Sequence, residues 1–310
     1  MKETPRIIGT YGDINADTLM ICTAGIHGNE PLGIEALRKV FHILERDQPK
    51  FNGRFVGIAG NLKALAANQR YLSEDLNRIW TAEKLENAKN NRCQTPDCEE
   101  LQAICQVLDQ IDFDQYSQKI YLDLHTTSGE NGTFIITTEL AKSHYLTQRL
   151  EAPIIIGLEE KLNGTSMRYM HDQGFVSFAF EGGQHQNQQS IDNLVWSIWY
   201  TFLGAGCIAE NIIPTEVANY THLQEFTENL PDIMELEYLH SIAPQDQFKM
   251  LPGFKNFSKV HKGQLLAHDA QGEVKSPDDG YLLMPLYQAT GNDGFFLVKG
   301  ANIELALNND

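Results

Sequence analysis

Apolar residues along the chain follow two rhythms. Residues 19–24, Leu-Met-Ile-Cys-Thr-Ala, are an apolar run short enough for a buried strand. A loop of Gly25-Ile26-His27-Gly28-Asn29-Glu30 follows it. Ile34, Leu37, Val40, Phe41 and Leu44 then recur at helical spacing and predict a helix over 31–46, with Pro31 suited to its first turn. A second strand is predicted over 54–59, and residues 97–108 form an amphipathic helix with Leu101, Ile104, Cys105 and Leu108 on one face. Strands near 119–124, 133–138, 153–156 and 176–180 come next, with helical patterns at 141–150 and 191–203 among and after them. Strands alternating with helices predict an α/β fold, with a mixed, mostly parallel sheet covered by helices on both faces.

After about residue 231 the rhythm changes. The segments become short and alternating, and are broken by Gly253, Gly263, Gly272, Gly280, Gly291 and Gly294. This is the pattern of a small all-β barrel or sandwich. The expected division is a catalytic domain over 1–231, including a linker, and a β-rich domain over 232–310.

Length and composition narrow the class without choosing a function. The chain has 310 residues, of which 42% are hydrophobic and 21% charged, as expected of a globular protein. No apolar run follows the first six residues, so no signal peptide is expected. The longest uncharged stretch, 193–209, falls short of the roughly 20 apolar residues of a bilayer span and is expected to be a buried helix. The net charge of −17 repels nucleic acid and anionic membrane, so neither is an expected partner. Five cysteines, Cys22, Cys93, Cys98, Cys105 and Cys207, are odd in number and match no zinc-finger spacing, which predicts reduced thiols in a cytoplasmic protein.

The candidate chemistry sits at strand ends. His27-Gly28-Asn29-Glu30 directly follows one buried strand, and His125 ends another, Leu122-Asp123-Leu124-His125. Open α/β sheets gather ligands beyond the carboxyl ends of their strands, and a catalytic zinc ion commonly takes three His or carboxylate ligands plus water. Asp123 is either a support for His125 or a loop-capping carboxylate. Glu181, in Phe180-Glu181-Gly182-Gly183, ends a third strand and is either a general base or a helix-capping charge. Arg70, Asn77 and Arg78 suit a site for a carboxylate and a polarised carbonyl. The same arginines could instead form surface ion pairs with Glu74 and Asp75.

Taken in order, Gly25-x-His27-Gly28-Asn29-Glu30, Asp75-Leu76-Asn77-Arg78, Asp123-Leu124-His125 and Glu181-Gly182-Gly183 resemble the succinylglutamate desuccinylase/aspartoacylase family, a branch of the zinc carboxypeptidase fold. The resemblance implies one zinc ion per chain, held by His27, Glu30 and His125. It further implies that Arg70 polarises the scissile carbonyl, that Asn77 and Arg78 hold the α-carboxylate of an N-acyl amino acid, and that Glu181 is the general base. Arg168 would grip a second substrate carboxylate, and Tyr287 would be the C-terminal contribution to the site. His185 is either a third histidine near the metal or a polar loop residue. The implied partner is a small N-acyl amino acid, with monomer and homodimer both open. The same ligands would also serve a zinc carboxypeptidase acting on peptides, or a non-catalytic zinc-binding protein.

Segments 260–266 and 274–281 resemble the biotinyl/lipoyl barrel-sandwich fold. The tip between them, His268-Asp269-Ala270-Gln271-Gly272, carries no lysine for a swinging arm, and Lys275 comes too late. A lid over the active site is the expected role of this region.

Overall fold

The computed structural model describes residues 4–218 and 229–302. Its elements run β1 (Ile7–Gly12), β2 (Thr18–Ala24), α1 (Leu32–Asp47), β3 (Arg54–Ala59), α2 (Leu62–Ala67), α3 (Ala82–Lys89), α4 (Pro96–Leu108), β4 (Gln118–Thr127), β5 (Thr133–Thr137), α5 (Leu140–Thr147), β6 (Ile154–Ile156), α6 (Ser166–Asp172), β7 (Val176–Gln184), α7 (Gln189–Gly204) and α8 (Thr215–Ala218). They continue as β8 (Ile233–Ser241), β9 (Lys249–Met250), β10 (Lys259–Val260), β11 (Leu265–Asp269), β12 (Gly272–Lys275), β13 (Gly280–Leu283) and β14 (Asp293–Gly300). The linker expected before residue 232 falls largely on 219–228, outside the described residues.

Eleven strands form one sheet in the order β1-β3-β2-β4-β7-β5-β6-β8-β14-β13-β10. Strands β3, β2, β4 and β7 are parallel neighbours, as are β5, β6 and β8. The two blocks meet through the antiparallel pair β5 and β7. Every residue of β2 is buried, which explains why its sequence shows an apolar run rather than an alternation. Met20, Cys22 and Ala24 face the core made with Leu37, Phe41, Trp199 and Phe202 of α1 and α7. Leu19 and Ile21 face the opposite core with Leu101, Ile104, Met167 and Met170 of α4 and α6. The mixed sheet with helices on both faces is therefore as the sequence predicts.

The uncharged stretch after Asn193 lies largely in α7, where Trp199 and Phe202 are fully buried. No helix among the described residues is long and apolar enough to cross a membrane. A three-stranded antiparallel sheet, β12-β11-β9, completes the C-terminal region. This region has a small apolar core of its own, including Met250, Leu266, Phe295 and Leu297. Phe296, Val298 and Leu283 instead join the core shared with Leu19 and Tyr121.

One expectation is corrected. Cys93 and Cys98 form a disulfide, where the sequence predicts reduced thiols, whereas Cys22, Cys105 and Cys207 are free. The turn entering α4, capped by Thr95, brings the two Cα atoms to 5.3 Å, within disulfide range. This pair therefore gives no support to a reducing compartment.

Candidate active site

The loop after β2 is folded tightly enough to bring two polar side chains three residues apart onto one point. A Cβ on Gly28 would lie 2.1 Å from the backbone carbonyl carbon of Ala64, so no side chain fits there. The Gly28 N–H donates to the carbonyl of Arg70, which fastens this loop to the arginine-bearing segment. His27 and Glu30 consequently project inward and are 4% and 2% exposed. His125 enters from β4, the strand hydrogen-bonded to β2. One donor atom from each of His27, Glu30 and His125 lies within 4.8 Å of the others.

The hydrogen bonding around this trio decides what it can hold. His27 Nε2 is 3.0 Å from Asp75 Oδ1, and His125 Nε2 is 3.2 Å from Asp123 Oδ2. Asp123 is itself fixed, accepting from the hydroxyls of Thr23 at 2.5 Å and Ser166 at 2.7 Å. With each Nε2–H donating to an aspartate, both Nδ1 lone pairs turn toward Glu30, at 2.8 Å from Oε1 and 3.1 Å from Oε2. The Thr126 N–H also donates to Glu30 Oε2 at 3.0 Å. Two imidazole lone pairs and a carboxylate converging in a buried space repel one another unless positive charge lies between them. Burial works against charge on Glu30, but His27 and His125 outweigh it and hold the carboxylate well below its ordinary range. Burial likewise opposes charge on His125, yet Asp123 and Glu30 raise its pKa well above the usual imidazole value, so without a cation a proton fills the place between Nδ1 and Glu30 that a metal ion would take. The donor set, its aspartate supports and its field all fit a divalent cation of the zinc type.

Glu181 stands beside His125 across the β4–β7 pairing. It is 6% exposed, and its Oε2 has no hydrogen-bond partner. Burial pushes its carboxyl up to about 8, reinforced by Glu30 and Asp123 and opposed by His125 and Arg70. A carboxylate so placed can take a proton from a water molecule.

Arg70, Asn77 and Arg78 line the same cavity of about 120 Å³. Arg70 Nε and Nη2 reach Asp75 Oδ2 at 3.1 and 3.0 Å, while Asp75 Oδ1 accepts from the Asn77 N–H. Burial opposes a charged Asp75, but His27 and Arg70 together keep it well below the carboxylate norm. Asn77 Oδ1 accepts from the N–H of Ser166, and Arg78 Nη2 donates to Asp293 Oδ2 at 3.0 Å. The arginines are therefore inside the site, though each also has an acidic partner.

The structure does not bring Arg168 or Tyr287 into this cavity. The half-exposed Arg168 guanidinium pairs with Glu159 at 3.4 Å and Asp172 at 3.3 Å. Tyr287 is 41% exposed, and its hydroxyl donates to the carbonyl of Leu251. His185 does line the cavity, with Nδ1 2.7 Å from Thr126 Oγ1 and Nε2 3.3 Å from Gln288 Oε1. Burial depresses its pKa and so disfavours a charged ring in the wall. The residues missed in the sequence are Asp293 and Gln288, which reach the cavity from the C-terminal region. Asp293 lies 215 positions from Arg78, and no local pattern marks it.

Comparisons with known proteins converge on one group. The family model described as "Succinylglutamate desuccinylase/Aspartoacylase catalytic domain" matches residues 16–194. A succinylglutamate desuccinylase of Pseudomonas fluorescens strain Pf-5 is 26% identical over 268 residues, covering 81% of this chain and 73% of the relative. A succinylglutamate desuccinylase structure from Vibrio parahaemolyticus superposes with a TM-score of 0.63 at 16% identity, covering 94% of this chain and 84% of that one. A succinylglutamate desuccinylase/aspartoacylase structure from Rhodobacter sphaeroides gives 0.64 at 16% identity, over 93% and 86%. At such identities the two structures show a shared fold.

Proposed function

The chain belongs to the succinylglutamate desuccinylase/aspartoacylase family, and from that premise we propose that it hydrolyses the amide bond of a small N-acyl amino acid. Its metal would be a single zinc ion on His27, Glu30 and His125. One observation carries the reading: the Nδ1 atoms of two imidazoles, each anchored at Nε2 by an aspartate, converge with Glu30 beside a buried carboxylate that has an unpartnered oxygen. A zinc ion bound there supplies Lewis acidity toward water and a carbonyl oxygen.

The remaining steps belong to the chain's own residues. Glu181 takes the proton of the attacking water and later delivers it to the leaving nitrogen, so that amide and water become a carboxylic acid and a free amino acid. Arg70, held by Asp75, points positive charge at the carbonyl oxygen as negative charge develops there. Asn77 and Arg78 receive the substrate α-carboxylate, for which Asp293 must yield or share its partner. The region from residue 232 acts as a lid, supported by Met284, Leu286, Asp293 and Phe296 on the cavity wall. Such a lid disfavours extended peptides, and with them a carboxypeptidase.

The test is amine release from a panel of N-acyl amino acids by zinc-replete protein. A chelator is expected to abolish release and added Zn2+ to restore it. Activity that survives full removal of metal would sink the reading.

A further inference from the structure

We infer that the substrate is a monocarboxylic N-acyl amino acid whose amino-acid side chain is apolar, and that substrates with further carboxylates, such as N-acetyl-aspartate with two or N-succinylglutamate with three, are rejected. The inference rests on the amide-hydrolase reading of the cavity and concerns its apolar lining. Besides its polar groups, the cavity is lined by Ile136, Leu158, Leu162, Met167, Ala179 and Phe296, which belong to or pack against a single apolar cluster. Leu158 is fully buried and Phe296 is 2% exposed, so this surface belongs to the core and is not a wet rim.

The cationic lining is short. Among the described residues, the guanidinium groups on the cavity are those of Arg70 and Arg78, and no lysine lines it. Arg70 sits at the reacting end, bound to Asp75 and 3.9 Å from Glu30. Arg78 is left for one carboxylate, and Asp293 already offsets part of its charge. Arg168, the residue that could have met a second carboxylate, is turned to Glu159 and Asp172 outside the cavity. A second carboxylate would therefore lose its water against leucine, isoleucine, methionine and phenylalanine side chains and gain no counter-charge. An aliphatic or aromatic group in the same place gains by leaving water.

Connectivity indicates which part of the substrate meets this wall. Met167 directly follows Ser166, whose N–H donates to Asn77 Oδ1, and Phe296 lies on the same strand as the Arg78 partner Asp293. The apolar wall thus begins beside the proposed α-carboxylate clamp. In an amino acid the α-carboxylate and the side chain leave the same carbon, so the side chain enters the wall and the acyl group lies toward the zinc ligands.

The experiment compares kcat/KM for N-acetyl-leucine and N-acetyl-methionine with N-acetyl-aspartate, N-succinylglutamate and N-hexanoyl-glycine, using zinc-replete full-length protein. The first two are expected to exceed N-acetyl-aspartate and N-succinylglutamate by about 100-fold or more, and also to exceed N-hexanoyl-glycine. Amine release that favours N-acetyl-aspartate or N-succinylglutamate overturns this inference and leaves the hydrolase reading standing. Preference for N-hexanoyl-glycine overturns the placement of the side chain. Release from none of the five overturns both readings. Leu162 is only partly buried, so Leu162→Arg adds a cation at the wall with limited strain. It is expected to narrow the leucine-to-succinylglutamate ratio by about tenfold or more. An unchanged ratio in a variant with native circular dichroism overturns the inference.

Discussion

At the scale of single residues, Glu181 combines burial, a raised pKa and an oxygen without a protein partner. These properties suit a group that handles a proton and is not one that holds the fold together. Glu181→Gln is expected to lower kcat by about 10²–10⁴-fold with one zinc ion per chain retained, measured by steady-state rates alongside elemental analysis. Loss of the zinc would instead make Glu181 a ligand. The residues at strand ends were legible because polar side chains that close an apolar run have few structural reasons to be there. The partners that orient them were less so. In the sequence Asp75 is a member of the Asp75-Leu76-Asn77-Arg78 motif without a role of its own, or a surface ion-pair partner of the arginines, whereas in the structure it joins Arg70 to His27 inside the protein.

At the scale of elements, the N-terminus of α4 supports the segment that carries Arg70, Asn77 and Arg78. Asp97 Oδ2 accepts from the N–H groups of Ser73 and Glu74 at 2.7 and 3.1 Å, and Oδ1 from those of Leu72 and the Asn61 side chain. Burial opposes its charge, but these donors prevail and lower its pKa. A lowered folded-state value means that the charged form stabilises the fold above about pH 4 and that this contribution fades as pH falls through the folded value. Asp97→Asn is therefore expected to cost about 1–3 kcal/mol at pH 7, read by urea unfolding. The variant should also lose less stability than the parent as pH drops below about 4. Equal stabilities at pH 7 would remove Asp97 from this role. The buried strands and long helices were readable from their apolar runs and stripes. Helices α2 and α3 were not, because Ala64 and Ala88 are their sole buried residues and leave no periodic signal.

At the scale of the whole molecule, the C-terminal region is both distinct and joined. It has its own small core, yet β8 pairs with β6, and Met234, Phe296 and Val298 pack into the core that includes Leu19 and Tyr121. Asn256, 2% exposed, adds a tie, donating to the Thr127 hydroxyl oxygen just past His125 and accepting from the Met284 N–H. Shared core and shared sheet predict one calorimetric transition for the full chain. Two separated transitions, with the smaller assignable to the region after 231, would show that the parts unfold independently.

The sequence alone determined the α/β class, the change of rhythm near residue 231 and the three strand ends where the chemistry gathers. Those features depend on burial and on neighbours a few positions apart, which leave a local trace. Tertiary structure decided that Arg168 points away, that Asp293 meets Arg78, that Cys93 and Cys98 join, and that a cluster of apolar side chains lines the cavity. Each of these depends on how backbone geometry directs a side chain or brings separate elements together, and hydrophobic patterning carries no such information.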